Sequence, residues 1–131
     1  MAILVGALLA LVIGILATVV GWDRDRSFYA VVTLVVASYY ALFAVIGAST
    51  GILLAETMVA VAFVVAAITG YKKSLWIVVL ALGGHGIFDL VHFALISNPG
   101  MPEYWPDFCA SFDVVIAAYF AWRLKSGKIP G

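Results

Sequence analysis

The chain has 131 residues, of which 66% are hydrophobic and 11% are charged, and its formal net charge at pH 7 is zero. This number of charged side chains is too small to cover the surface of a water-soluble globule. The composition therefore excludes a soluble domain and indicates an integral membrane protein. The zero net charge gives no reason to expect a nucleic-acid partner, and membrane lipid is the expected surrounding.

Five apolar runs along the chain are each long enough, at about 17 to 25 residues, to cross the hydrocarbon of a bilayer. Short polar connectors separate the runs and leave almost no residues for a second domain. Because short connectors join neighbouring helices in antiparallel order, we predict one all-α domain over residues 1–131, an integral membrane bundle of five transmembrane helices. The predicted spans are residues 2–21, 28–47, 51–70, 75–97 and 107–124.

The second and third spans are separated only by the segment GASTG, from Gly47 to Gly51. Gly, Ser and Thr together are typical of a turn between helices. If this break is not a turn, the two runs form one helix and the bundle has four spans.

The basic residues predict the orientation of the bundle. All seven Lys and Arg residues lie in or next to the first and third connectors or at the C-terminal end of the fifth span and beyond it. These positions share one side of a five-span bundle, and the positive-inside rule makes that side cytoplasmic. We therefore predict an N-terminus outside, a cytoplasmic C-terminus and a location in the plasma (inner) membrane.

Small residues recur at every fourth position of the first span, at Ala2, Gly6, Ala10 and Gly14. Such a stripe lets two helix backbones approach closely in lipid. Tight packing within the bundle is the simpler interpretation, and a homo-oligomer formed through this stripe is the alternative.

Three acidic residues lie inside the predicted spans, away from the span ends. Glu56, Asp89 and Asp113 belong to the third, fourth and fifth spans, and no Lys or Arg accompanies them at that depth. At about 1.5 Å per residue, each lies on the order of 8 to 12 Å below the outer boundary. An acid that faces lipid costs about 2.5 to 3.5 kcal/mol, so we expect the three acids to face one another.

The acids share their layer with histidine, which suggests a metal site. Buried carboxylates that lie close together cannot all stay ionised without compensation. Either protons neutralise them or a metal cation compensates their charge. The segment DLVH places Asp89 and His92 three residues apart, as in the Glu-x-x-His pairs of di-metal bundle proteins. We predict a divalent ion, Zn, Fe, Mn or Cu, because all four accept imidazole together with carboxylate. The predicted ligands are Asp89, His92, Glu56, Asp113 and, as a soft ligand near the mouth of the site, Cys109.

His85 is the second histidine of the fourth span, one turn before Asp89. Because helical side chains lean toward the N-terminus, we expect His85 to lean away from Asp89 and His92. His85 is therefore predicted as a general base or a residue that supports the ligands. The alternatives are that it joins as a ligand through a distortion at the segment GGHG or that it serves a second ion. We expect Tyr39 and Tyr40, at the same depth, to be hydrogen-bond partners around the ligands. Haem is not expected, because two histidines on one helix within two turns cannot sandwich a porphyrin.

Three hypotheses of function follow from this cluster. The first is a metal-dependent membrane enzyme that acts on a lipid-soluble substrate near the outer leaflet. The second is a proton- or cation-coupled transporter or channel subunit, for which intramembrane acids are a usual mark. The third is a structural accessory subunit whose buried polar residues set the helix register.

Overall fold

The computed structural model describes residues 1–129, and within that range the protein is all-helical, with five α-helices and no strand. A short 3-10 helix, Trp22–Arg24, follows the first of them. The helices are α1 Ala2–Val20, α2 Phe28–Gly47, α3 Thr50–Lys72, α4 Leu75–Leu95 and α5 Trp105–Lys125. The predicted helical class is confirmed, and the helices begin and end within a few residues of the predicted spans.

Four of the helices, α1 to α4, are long and apolar enough to cross a membrane. Many of their large apolar side chains face outward, and Val19, Leu80 and Phe93 are each about three-quarters exposed, at 75%, 74% and 75%. Such an apolar exterior suits acyl chains and not water. The helix α5 is less apolar because it contains four charged residues, Asp107, Asp113, Arg123 and Lys125. Five spans and their orientation therefore stay predictions.

The break between α2 and α3 is a turn. Helix α2 ends at Gly47, Ala48 is extended, and the Ser49 hydroxyl accepts a hydrogen bond of 3.3 Å from the Ile52 amide at the start of α3. Serine at this position satisfies one of the free amides of a helix N-terminus. The two apolar runs are thus separate helices that pack side by side.

The neighbours of each helix in the bundle differ from its neighbours along the chain. Within the described range, α1 packs on α5, α5 on α4, α4 on α3, and α3 on α2. Helix α2 also contacts α4 and α5, whereas the backbones of α1 and α2 do not approach each other. We call the two ends of the bundle the loop end and the basic end. The loop end contains Met1, the turn after α2 and the segment 96–104, and the basic end contains the segments 21–27, 73–74 and 126–129.

The small-residue stripe of α1 packs inside the chain, against α5. Gly6, Ala10 and Gly14 are buried. A Cβ atom on Gly6 would overlap the carbonyl oxygen of Phe108, and one on Gly14 would lie 2.9 Å from the ring of Tyr119. Only residues without bulk allow this approach. This is the packing within the bundle that the simpler interpretation predicts, and a homo-oligomer stays a prediction.

A buried ion pair joins the basic ends of α1 and α5. The Arg123 guanidinium donates from Nε to Asp23 Oδ2 at 3.0 Å and from Nη2 to Asp23 Oδ1 at 3.3 Å. The Thr18 hydroxyl also donates to Asp23 Oδ2, at 2.6 Å. Asp23 is fully buried, although its position in a charged connector gave no sign of burial. These contacts define the basic-end network: Thr18, Asp23 and Arg123.

Candidate metal centre

A cluster of ionisable side chains lies in the half of the bundle nearest the loop end. It brings together residues of α3, α4 and α5, and each of them is at most 1% exposed. The acids therefore face the interior and not lipid, as the cost of a lipid-facing acid requires. The cluster consists of Glu56, His85, Asp89, His92 and Asp113.

Three of these residues form one compact group, which we call the His/Asp group: His85, Asp89 and Asp113. His85 Nδ1 lies 2.8 Å from Asp113 Oδ2 and 3.5 Å from Asp89 Oδ1. One ligand atom from each residue lies within 4.8 Å of the other two. One imidazole and two carboxylates at this spacing could hold a metal ion.

Two oxygen atoms of the His/Asp group have no hydrogen-bond partner in the described part of the chain. They are Asp89 Oδ2 and Asp113 Oδ1, and both are buried. A buried polar atom without a partner costs on the order of 1 to 3 kcal/mol, and more if the group is charged. The two oxygens are therefore suited to accept a cation or a proton.

The backbone of α4 explains how His85 reaches this group. His85 and Asp89 are four residues apart on one face, and the Asp89 side chain leans toward the N-terminus, which is toward His85. The helix is continuous from Leu75 to Leu95, so no distortion is needed. Gly86 allows α5 to come close, since a Cβ atom there would lie 2.8 Å from Val114 Cγ2 and 3.3 Å from the Ala110 carbonyl oxygen.

His92 belongs to a second group, with Glu56. Its Nε2 lies 3.0 Å and 2.8 Å from the two carboxylate oxygens of Glu56. The Asn98 amide donates to Glu56 Oε2 at 2.7 Å and to the Tyr40 carbonyl oxygen at 3.0 Å. His92 Nδ1 is buried without a partner in the described range. The second group therefore consists of Glu56, His92 and Asn98.

Tyr40 connects the two groups. Its hydroxyl donates to Asp89 Oδ1 at 2.6 Å, and its ring stacks on the His92 ring with centroids 3.9 Å apart. Tyr39 points elsewhere and packs edge-on against Trp105, with centroids 5.1 Å apart. Of the two tyrosines predicted around the ligands, the structure thus places Tyr40 beside Asp89 and Tyr39 away from it.

The structure divides the predicted ligands between the two groups. Asp89 and Asp113 meet each other, but their imidazole is His85, which the sequence favoured as a base. His92 and Glu56 pair with each other instead. Cys109, 2% exposed, is buried one turn before Asp113 and is not in the His/Asp group. The physical reason is the rotation of α4 against its neighbours, which turns His85 toward Asp113 on α5 and His92 toward Glu56 on α3.

Sequence reasoning missed Asn98. It lies in the connector between α4 and α5, where no pattern distinguishes it from the other polar loop residues, yet it is only 7% exposed. Next to it, Gly100 packs against the end of α2, where a Cβ atom on Gly47 would lie 2.9 Å from the Gly100 Cα. This connector therefore covers the cluster at the loop end, and Asn98 supplies a buried hydrogen-bond donor to Glu56 there.

Apolar side chains separate the cluster from the basic end. Leu82, Ile116 and Phe120 are each fully buried, at 0% exposure. The Tyr29 and Phe120 rings stack with centroids 4.1 Å apart in the same region. In the described residues, no hydrogen-bonded chain connects the His/Asp group to the basic-end network.

Comparison of the chain with family models, with curated proteins and with solved structures finds no match. Its chemistry is therefore inferred from the geometry of its own residues. That geometry is a membrane-like helical bundle with a buried His/Asp cluster that could bind a metal ion.

Proposed function

We propose that this protein is a metal-dependent membrane enzyme that acts on a lipid-soluble substrate. One observation carries the proposal: His85, Asp89 and Asp113 converge within 4.8 Å, in a fully buried site. Two of their oxygens are also buried without partners. A divalent cation would satisfy both oxygens and offset the excess of acid in the layer.

The ligand types narrow the choice of ion. Imidazole with carboxylate oxygens suits Zn, Fe, Mn or Cu, and a bound ion of this kind polarises a substrate oxygen or activates a water molecule. Tyr40 would hold Asp89 in its orientation through the hydrogen bond to Oδ1, as partners of metal ligands commonly do. Gly86 would keep α4 and α5 close enough for Asp113 to reach His85.

His92 is the group best placed to move a proton. Its Nε2 faces the Glu56 carboxyl group, so with Glu56 ionised Nε2 would donate the hydrogen bond and Nδ1 would keep its lone pair. A carboxylate that fixes the tautomer of a histidine is the usual support of a general base. We therefore assign His85 to the ion and His92 to proton transfer, which exchanges the roles that the sequence favoured.

The location of the site supports a substrate that dissolves in lipid. The connector of residues 96–104 covers the loop end, and apolar side chains fill the bundle toward the basic end. Within the described residues, the fully buried apolar side chains toward the basic end offer a water-soluble substrate no hydrogen-bonded route. With five spans and the N-terminus outside, the site would lie in the outer leaflet of the plasma membrane.

Metal analysis of the detergent-purified protein tests this function. We expect stoichiometric metal in the wild type and its loss in Asp113→Asn, because this change removes a ligand of the His/Asp group. Asp107→Asn, an exposed acid near the start of the same helix, is the matched control and should keep the metal. His85→Ala should lose the metal while His92→Ala keeps it. A wild type that binds no metal would overturn the proposal.

The other two functions are outcomes of related measurements. A proton- or cation-coupled transporter predicts a pH-dependent flux in liposomes that Asp89→Asn abolishes, although the apolar region toward the basic end speaks against it. A structural subunit predicts that Glu56→Gln, Asp89→Asn and Asp113→Asn change only stability. Stoichiometric metal that depends on His85 contradicts the structural outcome, and the absence of such a flux separates the enzyme from the transporter.

A further inference from the structure

An apolar groove runs along one side of the bundle, between α1 and α2. These helices follow each other in the chain, but their backbones do not approach each other, and α5 forms the floor between them. The groove has a volume of about 380 Å³ and is lined almost entirely by hydrocarbon. Residues from all three helices line it, among them Leu9, Ile13, Val32, Val35, Phe108 and Phe112.

The dimensions of the groove select its occupant. From Phe28 to Tyr39 it extends for about 16 Å along α2, at about 1.5 Å per residue. A transmembrane helix of that length and about 10 Å in diameter would need on the order of 1,200 Å³, several times the volume of the groove. Water finds few hydrogen-bond partners along such walls, which are apolar over almost all of their area. Among the components of a bilayer, a single hydrocarbon chain fits both the shape and the chemistry.

The groove also reaches the layer of the His/Asp group. Cys109 lies in its wall, and Asp113 follows Cys109 by one helical turn on α5. Tyr39 lies in the same wall, directly before Tyr40, whose hydroxyl contacts Asp89. Trp105 forms the part of the wall nearest the loop end, where it packs against Tyr39 and Phe43. A chain in the groove would therefore lie against the residues next to the candidate metal ligands.

We propose that this groove binds one hydrocarbon chain of a membrane lipid, which enters sideways from the bilayer between α1 and α2. Binding in the groove needs no metal. The further step, that this chain belongs to the substrate, rests on the proposed function. In that case the substrate class is a lipid whose reacting group lies beside Cys109, within reach of the layer of Asp89 and Asp113.

Photolabelling tests the groove directly. The probe is palmitic acid with a diazirine near its methyl end, added to the protein in phosphatidylcholine nanodiscs, and labelled peptides are identified by mass spectrometry. We expect labelling of the groove walls that excess unlabelled palmitic acid removes. Labelling of exposed residues on the outer side of α1, such as Val19, should not saturate, because those residues contact bulk lipid.

Two tryptophan variants of α2 provide the specificity control. Val35 lines the groove and is 46% exposed, so Val35→Trp should fill the groove and abolish the saturable labelling. Val45 lies on the same helix outside the groove and is 67% exposed, so Val45→Trp should leave the labelling unchanged. Labelling that never saturates, or that both variants reduce equally, would overturn the proposal.

The same experiment separates this proposal from the metal function. Asp113→Asn should lose the metal and keep the saturable labelling of the groove. Excess lysophosphatidylcholine, compared with excess palmitic acid, shows whether the chain comes from a phospholipid or from a free fatty acid. Saturable labelling in a wild type without metal would support the groove and reject the metal enzyme.

Discussion

Two buried polar regions lie along α5, one near its middle and one at its basic end, and they differ in how their carboxylates are satisfied. In the basic-end network both oxygens of Asp23 have partners, from Thr18 and Arg123. In the His/Asp group, Asp89 and Asp113 each keep one oxygen without a partner in the described residues. The first region is complete as it stands, whereas the second has acceptors left for a ligand. Electrostatic completeness thus separates a structural ion pair from a candidate binding site.

The largest effect is expected from breaking the complete network. Arg123→Met leaves the Asp23 carboxylate buried without its cation, and such a loss typically costs about 3 to 5 kcal/mol of unfolding free energy. Reversible unfolding in mixed micelles, followed by circular dichroism, measures it. Lys125→Met, at an exposed position of the same helix, is the control and should change stability little.

A double variant sharpens this prediction. Adding Asp23→Leu to Arg123→Met removes both charges, and replacing both partners of a buried pair is often close to neutral. We expect the double variant to recover most of the lost stability. If Arg123→Met and Lys125→Met are equally stable, the ion pair contributes nothing and the contrast between the two regions fails.

A smaller effect is expected from a substitution of Tyr40, whose hydroxyl contacts the His/Asp group. Tyr40→Phe removes the hydrogen bond to Asp89 and keeps the ring that stacks on His92. Partners of metal ligands commonly contribute about 10- to 100-fold in metal affinity, so we expect a decrease of that size in a chelator competition titration. Tyr39→Phe is the matched control, because its ring packs on Trp105 and it should bind metal as the wild type does. Equal affinities for both variants would contradict the role of Tyr40.

The smallest effect concerns the spacing of α4 and α5. In Gly86→Ala the new methyl group meets Val114, and a strained core contact of this kind costs about 1 kcal/mol or more. Gly84→Ala is the control, since a Cβ atom there meets nothing within 4 Å and alanine favours a helix. We expect Gly86→Ala to weaken metal binding and Gly84→Ala to leave it unchanged. The unfolding free energy of each variant shows whether the bundle still folds with the added methyl group. The same metal affinity in both variants would show that this spacing does not position Asp113.

Much of the fold was predictable because the features that define a membrane helix, its hydropathy and its caps, depend on neighbouring residues in the sequence. The predicted span 28–47 coincides with α2, and the predicted turn at GASTG is present with Ser49 as its cap. Helix α5 begins earlier than predicted, at Trp105, because Pro106 is compatible with a first helical turn. Hydropathy and capping act over a few residues, so they are readable without knowledge of the neighbouring helices.

The composition of the polar layer was also predictable, but its pairing was not. The bilayer requires that Glu56, Asp89 and Asp113 turn inward, whatever the arrangement of the helices. Which histidine meets which acid depends on the rotation of α4 against α3 and α5, and that rotation is set by contacts such as Gly86 against Ala110.

The sequence by itself determined a helical membrane protein with a buried layer of acids and histidines. The reason is that hydrophobicity and the cost of a charge in lipid belong to each residue separately. Only the tertiary structure decided that His85 joins Asp89 and Asp113, that Asn98 serves Glu56, and that a groove opens between α1 and α2. These features depend on distances between helices, and no single stretch of the chain contains them.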